Sequence, residues 1–330
     1  MENQETINQN LVNKSILITG AAGFIGFHTA KTLLERGDTV IGIDNLNDYY
    51  DPKLKQARLE ILEKYPNFKF YKSDISEEIP VKEYIDVICH LAAQAGVRYS
   101  LENPKAYEKS NMLGTLNIFE FARQNKIKTV VYASSSSVYG NSKEIPFTES
   151  QKLDTPISLY AATKKANELY AYVYHHLYGI NMTGLRFFTV YGPWGRPDMA
   201  LFKFTKNILN NKPIDVYNNG DMKRDFTYVE DIVSGIISSI DHAYPFEIFN
   251  LARGESIPLT EFIKEIEKNT KPAEKNMLPM QPGDVSETFG DISLAKEKLD
   301  YSPQTSVAEG VKNFINWYKE FYNIKWTNKQ

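Results

Sequence analysis

Tyr160 and Lys164 stand four residues apart in a stretch patterned as a helix from 159 to 177. Residues four apart share one helix face, with β-carbons roughly 5–6 Å from each other. A lysine ammonium beside a phenol favours the phenolate and draws a pKa of about 10 toward the working range. A tyrosine tuned in this way takes a proton from a hydroxyl while hydride leaves the same carbon. The Tyr-x-x-x-Lys spacing recurs at Tyr49/Lys53, Tyr65/Lys69 and Tyr139/Lys143. Pro52, Pro66 and Gly140-Asn141 interrupt those three, so helix geometry singles out Tyr160. Four hydroxyls, Ser134 to Ser137, lead into Val138-Tyr139-Gly140. One of them can hydrogen-bond the reacting oxygen; at least two are ordinary loop or capping groups.

A second constellation lies near the start, Gly20-Ala-Ala-Gly23-Phe24-Ile25-Gly26. Glycines there let the backbone turn tightly and approach a pyrophosphate, whose charge is favoured at a helix N-terminus. The spacing is GxxGxxG, and its position at the first strand–helix turn gives it weight. Asp44 ends the second strand, 18 residues beyond Gly26, where an acid accepts hydrogen bonds from adenosine ribose hydroxyls. No arginine follows it directly to receive a 2′-phosphate, so NAD is expected rather than NADP. Asp74 and Ile75, at the end of the third strand, would reach the adenine.

These groups need a sheet to hold them. Ser15 to Gly20, Thr39 to Asp44, Phe68 to Asp74, Asp86 to Ala92, Thr129 to Ser134 and Met182 to Phe187 read as strands. Helical patterns fall between most of them, notably 24–36, which Gly37 can cap, 103–125 and 159–177. Strand–helix alternation with near-continuous apolar strands implies an α/β fold, a Rossmann-type doubly wound parallel sheet covered on both faces. The pattern divides into an N-terminal tail (1–13), a dinucleotide-binding domain (14–187) and a smaller α/β lobe (188–330) that is mainly substrate-binding. Some later segments are expected to return to the sheet.

Composition narrows the classes further. Of 330 residues, 38 are Lys or Arg and 41 Asp or Glu, a net charge of −3 that gives no basic groove for nucleic acid. The single cysteine, Cys89, lies in an apolar run and excludes an internal disulfide framework. No run approaches the roughly 20 apolar residues that span a bilayer, and the polar first 13 residues carry no signal-peptide pattern. A soluble cytoplasmic protein without a metal site is expected.

Together these elements resemble the extended short-chain dehydrogenase family of nucleotide-sugar epimerases, dehydratases and decarboxylases, over nearly the whole chain after residue 13. Within it, Asp44-Asn-Leu-Asn-Asp-Tyr-Tyr50, Ala92-Ala-Gln-Ala-Gly-Val-Arg-Tyr-Ser100, Leu185-Arg-Phe-Phe-Thr-Val-Tyr-Gly-Pro-Trp-Gly-Arg-Pro197 and residues 220–231 resemble the UDP-glucuronate 4-epimerase group, which includes bacterial capsule enzymes. The resemblance implies Tyr160 as general base and Lys164 as its partner, with Ser135 or Ser137 as the catalytic hydroxyl. It implies NAD contacts from Asn45, Leu91, Ala92, Ala93, Gln94, Asn111 and Phe187 besides the glycine loop. It implies a UDP-sugar held by Arg224 at the diphosphate, Tyr217 near the uracil, and Asp284 at the ribose, with Gln281 where some hexose epimerases carry arginine. A homodimer through the helices near 103–125 and 159–177 follows the same pattern.

One departure is informative. The dehydratases of this family place an Asp-Glu pair just before Val-Tyr-Gly, where this chain has Ser136 and Ser137. Without that acid and base for elimination, oxidation and re-reduction at one carbon remain. A hexuronic acid oxidised at C4 becomes a β-keto acid that loses carbon dioxide, so its carboxylate must be held; Ser136, Ser137, Thr189 and either Arg98 or Arg196 are the candidates. Rival expectations are a UDP-hexose 4-epimerase (UDP-glucose or UDP-N-acetylglucosamine), a UDP-glucuronate decarboxylase, and an NAD-sensing regulator.

Overall fold

A computed structural model describes residues 13–281 and 284–324; the expected N-terminal tail, apart from Asn13, lies outside the described residues. Seven strands form one sheet: β1 (Ser15–Thr19), β2 (Thr39–Asp44), β3 (Phe68–Lys72), β4 (Val87–His90), β5 (Thr129–Ser135), β6 (Asn181–Phe187) and β7 (Phe246–Leu251). Their order is β7-β6-β5-β4-β1-β2-β3, with every pairing parallel. The order reverses direction between β1 and β4, and ligands of such sheets bind at the carboxyl ends beside that switch. The fold is the doubly wound parallel α/β class that the strand–helix alternation implies.

The helices are α1 (Phe24–Arg36), α2 (Pro52–Leu62), α3 (Gly114–Gln124), α4 (Leu159–Tyr178), α5 (Ala200–Leu209), α6 (Val229–Asp241), α7 (Leu259–Asn269), α8 (Ser293–Leu299) and α9 (Val307–Phe321). Alternate strand residues point to opposite faces, so both faces are buried. Ile16, Ile18, Val40, Cys89 and Val131 pack with Phe27 and Ala30 of α1 and Ile232 and Ile236 of α6. Leu17, Ile41, Ile88 and Val130 pack with Ile118 and Phe119 of α3 and Ala171 and Tyr174 of α4. A third core joins α5, α7 and α9, where Phe226 and Phe262 stack at 3.8 Å with Tyr191 edge-on to both, and Phe202, Phe314 and Tyr318 pack on one another.

Two helices that flank the sheet's carboxyl end are sharply delimited. α1 stops at Gly37, which adopts the left-handed φ of 102°. α4 starts at Ser158, whose hydroxyl accepts the Ala161 amide at 3.1 Å, and stops at Gly179 in the left-handed region. The expected helix over 103–125 runs without a gap from Pro104 to Gln124, but its pitch changes inside: α-helical at Pro104–Tyr107, π-helical over Glu108–Leu113, then α3. The wider π turn accommodates the fully buried Asn111, whose amide accepts from the Gln94 backbone N–H at 2.8 Å. Asn111 also donates to the Gln94 carbonyl and the Thr163 hydroxyl, both at 3.1 Å.

His90, the last residue of β4, is buried between the hydroxyls of Thr19 (2.7 Å) and Thr115 (3.0 Å). Burial, then the Lys164 charge, hold its pKa down at about 3. His28, on α1, is held at about 4, chiefly by burial. Both unfolded values lie at about 6.5, so the unfolded chain binds protons that the folded chain excludes. The stabilisation is complete above that value and is lost as pH falls through the folded pKa. Melting temperature is therefore expected to drop between pH 6.5 and 4.5, and the gap between wild type and His90→Asn to narrow over that range; parallel curves for the two proteins would refute the assignment.

Candidate active site

At the carboxyl ends of β1 and β4 a cleft opens to solvent. Its floor is the loop between β1 and α1. Gly20 has φ of 73°, and a β-carbon there would stand 2.9 Å from the Ala92 backbone; one on Gly26 would stand 2.0 Å from the Gly20 carbonyl oxygen. Only glycine permits this closeness. No side chain caps the N-terminus of α1, whose residues Gly23, Phe24, Ile25 and Gly26 line the cleft. Asp44 faces the loop and accepts the amides of Ala22 at 3.2 Å and Leu46 at 2.8 Å. Asn45 donates to Asp74 at 3.3 Å, and Asp74 also accepts the amide and hydroxyl of Ser76. Ile75, Leu91, Ala92, Ala93, Gln94 and Phe187 complete the expected wall, with Asn111 held behind it.

Tyr160, Lys164 and Ser135 meet at the other end of the same cleft. Tyr160 is half-buried at the second position of α4, with Lys164 one turn on and only 4% exposed. The expected effect of the lysine on the phenol is corrected here. The Lys164 ammonium donates to the Ala133 carbonyl at 2.8 Å, and burial lowers its pKa to about 8. Burial raises the Tyr160 pKa, opposed by a hydrogen bond with Ser135 and by the charge of Arg196. Sequence spacing puts the two side chains on one face, but the sheet carbonyl takes the ammonium's hydrogen bond. Of the two candidate hydroxyls, Ser135 bonds the phenol, while Ser137 donates to Ser135 at 3.0 Å. Ser134 turns away and donates to the buried Glu168 at 2.7 Å.

A second cleft adjoins the first and shares Ser135, Tyr160, Phe188, Arg196 and Met199 with it. Ser136, Ser137, Thr189, Arg224 and Asp284 line it. Arg98 lies on its rim, exposed, donating to Asp284 at 2.9 Å and packing 4.7 Å above the Tyr217 ring. Of the two arginines considered for an anionic sugar, Arg196 is thus the one beside the phenol. Arg224 donates to the carbonyls of Lys223 and Ser286 at 2.8 and 3.2 Å, and the buried Oε1 of Gln281 has no partner among the described residues. Among the described residues no cluster of His, Cys, Asp and Glu could hold a metal ion.

Four further residues belong to the site and were not singled out by sequence. Lys55 lines the first cleft beside Asp44 and donates to the carbonyl (2.9 Å) and side chain (2.7 Å) of Asn47. Arg58 is fully buried and donates to the Ala22 carbonyl at 2.7 Å, the Tyr50 hydroxyl at 2.8 Å and the Trp194 carbonyl at 2.5 Å. Tyr49 and Asp198 surround Arg196. A helical pattern marks Lys55 and Arg58 as one face of α2, and nothing local says what that face meets.

The model of the NAD dependent epimerase/dehydratase family matches residues 16–252. The chain belongs to that family. Its relatives include protein CapI of Staphylococcus aureus, 49% identical, with 93% of this chain and 99% of that protein covered. UDP-glucuronate 4-epimerase 4 of Arabidopsis thaliana is 45% identical, with 94% and 76% covered. A solved structure of UDP-glucuronic acid 4-epimerase from Bacillus cereus, in complex with UDP-glucuronic acid and NAD, superposes with a TM-score of 0.88. That enzyme is 34% identical, and the match covers 93% of this chain and 100% of it. For this family member, the glycine loop makes a direct prediction. Gly26→Ala forces the Gly20 carbonyl aside and is expected to strip NAD from the purified protein, measured as nucleotide released on denaturation; wild-type NAD content in the variant would refute the loop's role.

Proposed function

We propose that the protein is an NAD-dependent 4-epimerase that interconverts UDP-glucuronate and UDP-galacturonate through a 4-keto sugar. The observation that carries this reading is the meeting of Ser135, Tyr160 and Arg196 where the two clefts join. A hydroxyl, a phenol and a guanidinium there match a substrate with a reacting hydroxyl next to a carboxylate-bearing carbon. The relatives named for the same reaction support it.

The residues present fit NAD. A helix N-terminus without a side-chain cap and glycines that no β-carbon could replace suit a diphosphate. Asp44 and Asn45 would hold the adenosine ribose, Asp74 and Ile75 the adenine, and Leu91 to Gln94, Lys164 and Phe187 the nicotinamide end. When bound, NAD accepts the C4 hydride, returns it, and brings a positive charge beside the phenol.

Tyr160 takes the C4 hydroxyl proton and gives it back to the 4-keto oxygen. Ser135 holds that oxygen, and its hydrogen bond and the Arg196 charge favour the phenolate against burial. Lys164, with its pKa lowered to about 8, is charged at neutral pH and stays bonded to the Ala133 carbonyl. Ser136 and Ser137 offer no carboxyl pair to eliminate water, so the keto sugar turns over in the second cleft and is reduced on its other face. Arg196, Thr189 and the serine hydroxyls hold the carboxylate of the β-keto acid, and Arg224 the diphosphate. In this reading residues 14–187 bind NAD and residues 188–330 mainly bind the sugar nucleotide, with β7 returning to the sheet.

Tyr160→Phe is expected to lower turnover by about 10²–10⁴-fold while NAD content is unchanged. Incubating the purified protein with UDP-glucuronate, without added NAD, is expected to yield UDP-galacturonate and no carbon dioxide. A UDP-pentose with carbon dioxide would make it a decarboxylase; turnover of UDP-glucose or UDP-N-acetylglucosamine alone would remove the uronate.

The same reading includes a homodimer in the cytoplasm. No helix among the described residues is long and apolar enough to cross a membrane. Yet α4 exposes Leu169, Tyr172, Val173 and Leu177, three turns of apolar surface, with Leu113 and Leu116 exposed before and in α3. A second copy, pairing these helices symmetrically, covers the patch. Wild type is expected to sediment as a dimer and Leu169→Glu/Val173→Glu as a folded monomer; a monomeric wild type would overturn the pairing.

A further inference from the structure

Arg196 does not stand alone beside the phenol. Its Nε donates to Asp198 Oδ1 at 3.0 Å and its Nη2 to Asp198 Oδ2 at 2.5 Å, a bidentate pair along one edge of the guanidinium. The Tyr49 hydroxyl donates to the same Asp198 Oδ2 at 3.3 Å. Tyr49 is itself wedged in place: its ring packs 4.9 Å from that of Tyr99, and a β-carbon on Gly96 would stand 2.8 Å from its hydroxyl. Gly96, with φ of 100°, leaves the space that the hydroxyl occupies. These residues come from three separate segments, around Tyr49, Gly96–Tyr99 and Arg196–Asp198, and converge on one guanidinium.

A guanidinium is planar and presents its donors in a fixed fork. With the Nε/Nη2 edge taken by Asp198, the Nη1/Nη2 edge remains to receive a second carboxylate, in a plane that Asp198 sets. That plane matters for a β-keto acid. Carbon dioxide leaves only when the breaking C5–carboxylate bond lies perpendicular to the C4 carbonyl plane, where its electron pair can enter the enolate.

Building on the uronate reading, we propose that Asp198, steadied by Tyr49, is a positioning residue that fixes the plane of Arg196 and so keeps the sugar carboxylate from leaving. Loss of that control has a defined outcome. The C4 hydride has gone to NAD; the C5–carboxylate bond breaks heterolytically; its pair forms the enolate; and water protonates C5. The products are carbon dioxide, a UDP-4-keto-pentose and NADH, which is no longer reoxidised by the sugar. Carbon dioxide and NADH thus appear in equal amounts.

The test compares wild type, Asp198→Asn, Asp198→Glu and Tyr49→Phe, each with retained NAD, on UDP-glucuronate labelled in the carboxyl carbon. Label lost as carbon dioxide, absorbance at the NADH band and UDP-galacturonate are followed together. Asp198→Asn is expected to raise the share of turnover ending in carbon dioxide by about tenfold or more, the scale of losing a charged hydrogen bond. Tyr49→Phe moves the share the same way but less, and Asp198→Glu returns it toward wild type. Variants that slow epimerisation with an unchanged carbon dioxide share would overturn the proposal and leave Asp198 a structural residue. If Asp198→Asn does not fold, Tyr49→Phe decides by the same ratio. Wild type without turnover of UDP-glucuronate would sink the uronate reading itself, and this inference with it.

Discussion

Between the sheet and α4, Arg186 and Glu168 meet with each side chain only 2% exposed, through hydrogen bonds of 2.8 and 2.9 Å. Moving two charges from water to such a place costs several kcal/mol per ion, and only near-complete satisfaction of donors and acceptors offsets it. Here the network is filled. Ser134 and Lys165 donate to Glu168, and Arg186 donates further to the Tyr139 hydroxyl and the Glu149 carbonyl. Tyr139 passes the chain on to Asn250 at 2.7 Å, next to the end of β7. One buried pair thereby joins α4, β5, β6 and β7. Lys164 and Tyr160 lie one and two turns before Glu168, so anchoring that carboxylate fixes both against Ala133 and Ser135.

A second guanidinium ties the two sides of the site together. Arg58 bridges the glycine loop at Ala22, the segment after β2 at Tyr50, and the loop before Arg196 at Trp194. It is fully buried, and its acceptors are carbonyls and a phenol rather than a carboxylate. A cation solvated by backbone dipoles keeps its charge available to the neighbourhood, here the loop suited to a diphosphate. The same residue holds the loop that leads to Arg196, so geometry at the nucleotide end and at the sugar end is set by one side chain.

What could be read from the chain, and what could not, divides along these contacts. The limits of α1 and β2 follow from local signals: an apolar period of 3.6 ended by Gly37, and a short β-branched run ended by Asp44. Tyr160 was legible because its rivals are interrupted by proline or glycine, a local fact. The π-helical turn at Glu108–Leu113 was not, because it answers the demand of Asn111 for the Gln94 backbone, a contact across the fold. Nor was the partner of Lys164, since the carbonyl of Ala133 lies 31 residues away on a strand. Tyr49 and Asp198, 149 residues apart, share no pattern that a single sequence displays.

The substrate side shows how differently the same ion pair can be used. Arg186–Glu168 is closed on every side and holds a helix. Arg98–Asp284 and Arg196–Asp198 face open space, with side chains 18–45% and 21–27% exposed. Whereas Arg224 is held by the carbonyls of Lys223 and Ser286, both of these cations are already matched by a carboxylate from this chain. A ligand arriving there does not meet a bare charge; it must share or displace an acid whose position is fixed. Net attraction is then small, and the ligand's charge alone does not secure its place. Selection falls to whichever anion fits the remaining edge of each guanidinium, so shape decides where a row of unpaired cations would accept any phosphate or carboxylate.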